Sequence, residues 1–264
     1  MIRARLAPRP ESVRTVAPYA SIARVYDQLI GDAGLEPIWN GFRHSCRRYG
    51  IRFGSVADIG CGTGRFLERL SRSGTRLWGV DRSPAMLAVA RRRLAGRSVT
   101  LLRQDMTRLA LPEPVDLLTA NFNVVNYLQD LPQFRQLVDR LYKSTTFQGC
   151  IIFDMFIKIS WTAEMPAVRQ LIGLPGVRAI WDVRPLMTGE GAMVSMHTCF
   201  ERPGGSWNCA TERHAQRWWP CDAIESMLVA TGFHVLGVHR LGDHRPAGSA
   251  DRWVQIVARR CARD

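Results

Sequence analysis

Apolar and polar positions change their period several times along the chain. Between residues 55 and 156, apolar runs of strand length are separated by segments with apolar residues at helical spacing. One such helix begins at Ser83-Pro84, in the cap-then-proline order. This alternation predicts a parallel sheet with helices on both faces, and right-handed crossovers make it a doubly wound α/β fold. The predicted strands are Ser55–Ile59, Arg76–Val80, Val99–Leu102, Val115–Ala120 and Cys150–Phe156.

The pattern differs on either side of this series. Residues 18–49 have apolar positions at helical spacing with a break at Gly31–Gly34, and so predict two helices. Residues 177–216 alternate apolar and polar positions around Pro203-Gly204-Gly205, a hairpin signal, and so predict a small antiparallel β insertion after the fifth strand. The elements that follow, and that complete a seven-stranded sheet, are a helix at Cys221–Ala230 and strands at Phe233–Arg240 and Trp253–Ala258.

A glycine-rich turn, Asp58-Ile-Gly-Cys-Gly-Thr-Gly64, follows the first strand and opens a helix. Open α/β sheets bind ligands at this edge. Gly60, Gly62 and Gly64 permit positive φ and lack the Cβ atoms that would keep a ligand away, so backbone amides face the bound group. A tight structural turn is the alternative interpretation. The dinucleotide pattern G-x-G-x-x-G fails because Arg65 occupies its last position, and no P-loop follows.

Acidic residues follow the next two strands. Asp81 ends the second strand, where a carboxylate can accept hydrogen bonds from ribose hydroxyls or, alternatively, cap the next helix. Asp105 follows the third strand, where its carboxylate can accept a hydrogen bond from the exocyclic amine of adenine. Met86 and Met106 are candidates to enclose the ring, or else core residues. Features of this kind at three successive strand ends predict a nucleoside-containing cofactor.

These residues resemble a known family. The run VADIGCGTGRFLERL…GVDRSPAMLAVARRRL…LLRQDM resembles the class I S-adenosylmethionine-dependent methyltransferases over residues 54–160. The segments YASIARVYDQLI, VDLLTANFNVVNYLQDLPQFRQLVDRLY and ATERHAQRWWPCDAIESMLVATGFHV resemble a branch that includes glycine/sarcosine and aminosugar N-methyltransferases. The usual Leu-Lys-Pro-Gly-Gly before the fifth strand is replaced by Lys143–Gly149, a surface turn that should not touch the cofactor.

The resemblance implies a Rossmann-like methyltransferase fold that binds S-adenosyl-L-methionine and releases S-adenosyl-L-homocysteine. It implies that the glycines hold the methionine portion, that Asp81 holds the ribose, and that Asp105 with Met106 holds the adenine. It places Asn121 beside the sulfonium, and it makes the N-terminal helices a lid that brings Tyr19 and Tyr26 to the cofactor or substrate. The full predicted cofactor-binding set is Tyr19, Asp58, Gly60, Cys61, Gly62, Gly64, Asp81, Arg82, Met86, Asp105, Met106 and Asn121.

We therefore divide the chain into three parts. Residues 1–17 are expected to be a flexible basic tail. Residues 18–160 and 217–264 are expected to form the methyltransferase core with its N-terminal helices. Residues 161–216 are expected to form an antiparallel cap over the substrate.

The predicted reaction is a direct in-line displacement, in which the protein aligns the acceptor with the methyl group and excludes water. A general base is needed only if the acceptor loses its proton. The candidates for catalytic roles are Tyr26, Asn126 and His214, with His197 as a further possible base. Tyr127, beside Asn126 after the fourth strand, is also placed to touch the substrate.

The net charge of +13 is compatible with a nucleic acid or an anionic substrate. However, the arginines are spread along the whole chain, and the motif that grips a flipped amino base is missing after the fourth strand, where the chain reads Asn121-Phe-Asn-Val. We therefore expect a small-molecule acceptor. The alternatives are an RNA or tRNA methyltransferase and, in another class, a non-catalytic or repurposed cofactor-binding protein. The oligomeric state stays open.

The cysteines and the hydropathy predict a cytoplasmic protein. There are seven cysteines and no Cys-x-x-Cys pair, so we expect reduced thiols rather than a disulfide framework or a structural metal site. No apolar run approaches the ~20 residues that span a bilayer. The basic residues of Met1–Pro10 are not followed by the apolar stretch that a secretory signal requires.

Overall fold

The computed structural model describes residues 13–71, 74–157, 168–186, 190–248 and 250–262. Its elements follow the predicted alternation. In chain order, the strands are β1 (Val13–Val16), β2 (Ser55–Ile59), β3 (Arg76–Asp81), β4 (Val99–Arg103), β5 (Val115–Ala120), β6 (Thr145–Phe156), β7 (Val168–Leu174), β8 (Val177–Pro185), β9 (Gly191–Glu201), β10 (Trp207–Arg217), β11 (Phe233–Arg240) and β12 (Trp253–Arg260). The helices are α1 (Tyr26–Arg48), α2 (Arg65–Leu70), α3 (Pro84–Arg93), α4 (Leu131–Ser144) and α5 (Cys221–Thr231).

The central sheet has seven strands in the order β11-β12-β6-β5-β2-β3-β4. Strands β2 to β6 pair in parallel, whereas β12 runs antiparallel to both β6 and β11. Because helices cover both faces, β2 has no solvent-facing position and each of its residues is buried. The predicted doubly wound, mostly parallel sheet is confirmed.

Alternate strand residues supply two separate cores. Val56 and Leu117 point to the face covered by α1, α2 and α3, whereas Ala57 and Leu118 point to the face covered by α4 and α5. Helix α1 contains the predicted break at Gly31, where φ is 64°. No helix within the described ranges is both long enough and apolar enough to cross a membrane.

A second sheet follows β6, in the order β1-β10-β9-β8-β7. Strands β7 to β10 form an antiparallel meander, as the hairpin signal indicated. The alternation in the sequence indicated strands only from Val177, but β7 begins earlier, at Val168. Leu171 of β7 is 76% exposed, so pairing with β8 rather than an apolar face defines this strand. Residues 161–167 of the predicted insertion lie outside the described residues.

The predicted tail is corrected at its end. Val13–Val16 forms β1, which pairs in parallel with β10 from Val13 opposite Cys209 to Val16 opposite Glu212. Backbone hydrogen bonds to an open sheet edge order this segment, and they leave no apolar signature in the sequence. Residues 1–12 of the predicted tail lie outside the described residues.

The expectation of reduced thiols is corrected at one pair. Cys199 and Cys209 form a disulfide. They lie directly opposite each other in the β9–β10 ladder, so the register brings their sulfur atoms together. Cysteine spacing does not reveal this pairing, because it depends on a strand register that the sequence leaves open.

Asn126 joins three parts of the chain. Its side-chain NH2 donates to the carbonyl oxygens of Phe156 (2.8 Å) and Arg217 (2.5 Å), and its Oδ1 accepts from the amide of Phe156 (2.9 Å). The residue is fully buried. This one amide therefore fastens the segment after β5 to the end of β6 and to the end of β10.

Replacing Asn126 with Ala should destabilise the protein by about 2–4 kcal/mol, because buried backbone groups lose their partners. Urea unfolding followed by circular dichroism measures this change. The matched control is Asn208→Ala on the exposed side of β10, which should stay within about 0.5 kcal/mol of the wild type. Equal stability of the two variants would show that the hydrogen bonds of Asn126 contribute little to the free energy of unfolding.

Candidate active site

A pocket opens at the carboxyl edge of β2, β3, β4 and β5 and encloses about 960 Å³, part of it continuous with solvent. All the predicted cofactor-binding residues except Gly64 and Asp105 line it, and so does the predicted catalytic residue Tyr26. The lining residues that the sequence analysis did not assign to the cofactor are Ile59, Thr63, Arg65, Phe66, Val80, Gln104, Phe122, Val124 and Tyr127.

The glycines of the turn do different jobs. The amides of Gly60 and Cys61 donate to the Val80 carbonyl oxygen (2.7 and 3.0 Å), which fastens the turn to β3. A Cβ on Gly62 would meet no protein atom closer than 4.0 Å and would project into open space. A Cβ on Gly64 would lie 2.9 Å from the Leu94 side chain, so Gly64 permits helix packing rather than ligand approach.

The carboxylate of Asp81 accepts hydrogen bonds from the backbone and also lines the pocket. Its Oδ2 accepts from the Gly62 amide (2.9 Å), and its Oδ1 accepts from the Ser83 amide (2.7 Å). Burial raises the pKa of this carboxyl, and these hydrogen bonds oppose the rise. The helix cap is Ser83, whose Oγ accepts from the Met86 amide (3.3 Å). The carboxylate is thus held facing the pocket and is not the side chain that caps α3.

Asp58 and Asn121 form a buried pair at the base of the pocket. Oδ1 of Asp58 accepts from Thr119 Oγ1 (2.7 Å) and from Asn121 Nδ2 (3.1 Å). Burial raises the pKa of Asp58 to about 7, although both hydrogen bonds favour the charged form. The parallel pairing of β2 with β5 aligns Asp58 with Thr119 and brings these side chains together.

Asp105 caps a local turn and is not among the residues that line the pocket. Its Oδ1 accepts from the amide (2.9 Å) and the hydroxyl (2.7 Å) of Thr107, so it caps the short 3₁₀ turn Met106–Arg108. Its neighbours Gln104 and Met106 line the pocket instead. A carboxylate two residues before a threonine is a local capping arrangement, and this signal was available in the sequence.

The lid is fastened directly to the glycine turn. Thr63 Oγ1 donates to Asp27 (2.6 Å), Arg93 pairs with the other oxygen of Asp27, and Arg65 donates to the Gly31 carbonyl (2.8 Å). Tyr26, next to Asp27, thereby lies over the pocket. Burial raises the pKa of its hydroxyl, which keeps that hydroxyl protonated.

A chain of hydrogen bonds runs from the pocket into the second sheet. The Tyr19 hydroxyl lies 2.5 Å from the Tyr127 hydroxyl, which lies 2.8 Å from Nδ1 of His214. Nε2 of His214 is 3.1 Å from Glu212, and both of these side chains are fully buried. Tyr19 and Tyr127 line the pocket, and His214 lies behind them. Asn126, by contrast, is occupied by the joint described above and does not line the pocket.

Comparison with known proteins agrees with this geometry. Residues 56–149 match the family described as a methyltransferase domain. A relative from Geobacillus sp. (strain WCH70), whose name assigns it provisionally to the methyltransferases, is 28% identical over 92% of this chain and 99% of its own length. A solved S-adenosylmethionine-dependent methyltransferase from Clostridium acetobutylicum has a TM-score of 0.79 at 20% identity, covering 92% of this chain and 99% of that one. A sugar N-methyltransferase from Streptoalloteichus sp. has a TM-score of 0.73 at 19% identity, covering 99% of both chains.

The fold is that of a doubly wound α/β protein with a pocket at the topological switch point of its sheet, the place where such folds bind ligands. Residues 56–149 therefore match a methyltransferase domain, and the chain is similar along most of its length to a relative that bears the name of a methyltransferase and to the fold of a solved S-adenosylmethionine-dependent methyltransferase.

The pKa of Asp58 leads to a test of its burial. The folded protein holds this proton up to about pH 7, whereas the unfolded chain loses it near the ordinary value of 3.8. The contribution of Asp58 to the free energy of unfolding therefore falls as pH rises from about 4 to about 7.

Asp58→Asn replaces the titrating carboxyl with a neutral amide, so the variant does not lose stability as this carboxyl ionises. Its free energy of unfolding relative to wild type should therefore rise by a few kcal/mol, on the order of the pKa shift of Asp58, between pH 4 and pH 8. Urea unfolding at a series of pH values measures the difference. A difference that stays constant with pH would mean that Asp58 does not titrate in this range.

Proposed function

We propose that this chain binds S-adenosylmethionine in the pocket at the edge of the central sheet and transfers the methyl group to nitrogen or oxygen of a small-molecule acceptor. The observation that carries this proposal is the pairing of Gly62 and Asp81. An open approach over a bare glycine lies directly beside a buried carboxylate in one pocket.

The pocket residues fit the nucleoside part of the cofactor. Asp81 uses one hydrogen bond to each carboxylate oxygen for the protein backbone, which leaves further lone pairs to accept from a ribose diol. Met86 and Met106 supply apolar surface for a flat base, and Gln104 supplies an amide beside it. Asp105 is left out of this assignment because it does not line the pocket and its Oδ1 accepts from the amide and the hydroxyl of Thr107.

The other end of the pocket fits a group that carries an amino acid. The turn from Gly60 to Thr63 brings backbone close to this end, and Arg65 adds a guanidinium that already donates to the Gly31 carbonyl. When bound, S-adenosylmethionine supplies a methyl group activated by a positively charged sulfur. The residues of the chain orient the acceptor and exclude water from it. The lid, fastened at Asp27, and the second sheet are the parts that cover this end.

The position of the lid over the pocket supports a small acceptor. Tyr19 of the lid and Tyr127 both line the pocket and are in contact through their hydroxyl groups, so part of the pocket is closed over by these two side chains. The solved structure that covers 99% of this chain is that of a sugar N-methyltransferase, which fits an acceptor of this size. An acceptor screen that detects S-adenosylhomocysteine tests the proposal, with glucosamine and ethanolamine as amines and bulk tRNA as the alternative. Transfer to tRNA alone, or wild-type protein that binds neither S-adenosylmethionine nor S-adenosylhomocysteine, would refute it.

Asp81→Asn should weaken the binding of S-adenosylhomocysteine by about 1–3 kcal/mol, or roughly 5- to 150-fold, because a charged acceptor of two ribose hydrogen bonds is lost. Isothermal titration calorimetry measures the dissociation constant. Asp105→Asn is the matched control and should bind like the wild type. Equal affinities of all three proteins would remove Asp81 from the ribose site.

Gly62→Val should abolish detectable binding, because Gly62 lines the pocket and a side chain there would occupy the open space above its backbone. The same change at Gly176, in the turn between β7 and β8, is the matched control. Gly176 also has positive φ (67°) and open space around it, so the backbone strain is similar while the pocket stays intact. Both variants are compared by calorimetry after circular dichroism confirms folding. Normal affinity in folded Gly62→Val would contradict the placement of the ligand over this glycine.

A further inference from the structure

We propose that Tyr19, Tyr127, His214 and Glu212 form a proton relay that accepts a proton from the methyl acceptor. The acceptor is therefore an amine or an alcohol, which has a proton to lose, and not a carboxylate. This inference rests on the proposed function, because it concerns the acceptor side of the same pocket. It is argued from the direction that each hydrogen bond in the chain must take.

The direction is set at the buried end of the relay. Glu212 receives the backbone amides of Tyr19 (2.5 Å), Ser21 (2.6 Å) and Ile22 (3.1 Å), together with the Ser21 hydroxyl (2.5 Å). An ionised carboxylate only accepts hydrogen bonds, so Nε2 of His214 must carry a proton and donate it to Glu212. In the neutral ring, Nδ1 of His214 is then an acceptor.

The charge on Glu212 agrees with this assignment. Burial raises the pKa of this carboxyl, but the hydrogen bonds from His214 and from the backbone of the lid outweigh burial and hold the pKa below its ordinary value. Glu212 is therefore ionised at neutral pH. A protonated Glu212 would be able to donate, and the direction of the chain would then be undefined.

The direction passes outward through the two tyrosines. Nδ1 of His214 accepts, so the Tyr127 hydroxyl donates to it (2.8 Å). A tyrosine has a single hydroxyl proton, so the Tyr127 oxygen accepts from the Tyr19 hydroxyl (2.5 Å). The Tyr19 oxygen then has a lone pair left, and Tyr19 is one of the residues that line the pocket. The relay thus presents a hydrogen-bond acceptor to the substrate.

Other groups around the two tyrosines leave this order intact. The Arg82 guanidinium lies 6.0 Å from the centre of the Tyr127 ring, and Gln216 and Arg82 both favour the charged form of Tyr127. Tyr26 packs edge-on against Tyr19 at 5.7 Å, and Asp81 lies on the same side of the pocket. Burial raises the pKa of both Tyr19 and Tyr127 and keeps them protonated, so each passes a proton on without storing charge.

The backbone of Tyr19 is strained and is kept in that conformation by a hydrogen bond. Its φ is 63°, a left-handed conformation that costs a residue with a side chain about 1 kcal/mol or more. The Glu212 carboxylate accepts from its amide and holds it there. One buried carboxylate therefore secures the lid segment and orients His214, so the relay is complete only when the lid is in place.

The proton transfer balances with the methyl transfer. A lone pair on the acceptor nitrogen or oxygen forms the bond to the methyl carbon, while the carbon–sulfur bond breaks and leaves its electron pair on sulfur. The acceptor proton passes to Tyr19, the Tyr19 proton to Tyr127, and the Tyr127 proton to Nδ1 of His214. His214 ends as an imidazolium beside the Glu212 carboxylate and returns its proton to solvent before the next cycle. An amine that arrives as an ammonium gives up one proton along the same relay before the bond forms, and the methylammonium product then leaves with its remaining protons.

The first test needs no acceptor. Nitrogen-15 NMR of histidine-labelled protein, free and saturated with S-adenosylhomocysteine, reports which ring nitrogen of His214 carries the proton, with His214→Gln assigning the signal. We expect the Nε2–H tautomer in both states. The Nδ1–H tautomer would overturn the relay. Failure to bind S-adenosylhomocysteine would refute the proposed function but would leave the tautomer of the free protein to decide this inference.

The second test compares the kcat and KM of variants at pH 6.5 and pH 9. The probe acceptors are the amines glucosamine and ethanolamine and the carboxylate trans-aconitate. Tyr127→Phe cuts the relay, and His214→Gln keeps hydrogen-bonding groups but cannot take a proton. Each should lower kcat for the amines by about 10²- to 10⁴-fold at pH 6.5 and by much less at pH 9, where more amine arrives deprotonated. KM should change little.

The matched controls are Tyr142→Phe, whose hydroxyl donates to the Cys261 carbonyl (3.0 Å), and His234→Gln, an exposed residue of β11. Both should retain the wild-type pH profile. Equal losses at both pH values in the relay variants would indicate a purely structural role and overturn the proposal. Turnover of trans-aconitate alone, or of none of the probes, would count against the predicted acceptor class.

Discussion

The parallel pairing of β2 with its two neighbours is the constraint on which the site depends. It places Asp58 level with Gly79 of β3 and with Thr119 of β5, so that the carboxyl ends of three strands meet at one edge. Polar side chains that follow buried strands are thereby collected around one pocket, although they are distant in sequence. The same edge receives the glycine turn, which is fastened to β3 through the Val80 carbonyl. Backbone pairing thus determines where polar chemistry can be concentrated within an apolar sheet.

A second constraint acts from the other side of the pocket. Glu212 lies on β10, in the second sheet, and its buried carboxylate is satisfied by the lid and by His214. A buried charge is tolerable only when it is fully paired, so the lid, the second sheet and the side of the pocket lined by Tyr19 and Tyr127 form one unit. The side of the pocket formed by the glycine turn depends on the central sheet, and the side lined by the two tyrosines depends on this carboxylate. Asn126 connects the two sheets through backbone groups.

Much of the site was predictable because its residues stand at fixed offsets from strand ends. Gly62 and Asp81 were identified in this way, and both line the pocket. Asp105 satisfied the same rule of position but caps a turn, since a nearby threonine offered a local partner. Gly64 matched the glycine pattern but faces Leu94, since packing of α2 against α3 uses that bare backbone. Offsets locate a residue at the edge, but they do not decide which way its side chain turns.

Sequence by itself determined the class of fold and the edge of the sheet at which the pocket opens, because strand and helix periods and a glycine turn are local properties of the chain. Tertiary structure alone decided the hydrogen bonds that join Tyr19 and His214 to Glu212, the pairing of Cys199 with Cys209, and the ordering of Val13–Val16 on β10. These features depend on strand register and on contacts between residues nearly two hundred positions apart. Such contacts arise only when both sheets have formed, so no local pattern in the sequence carries them.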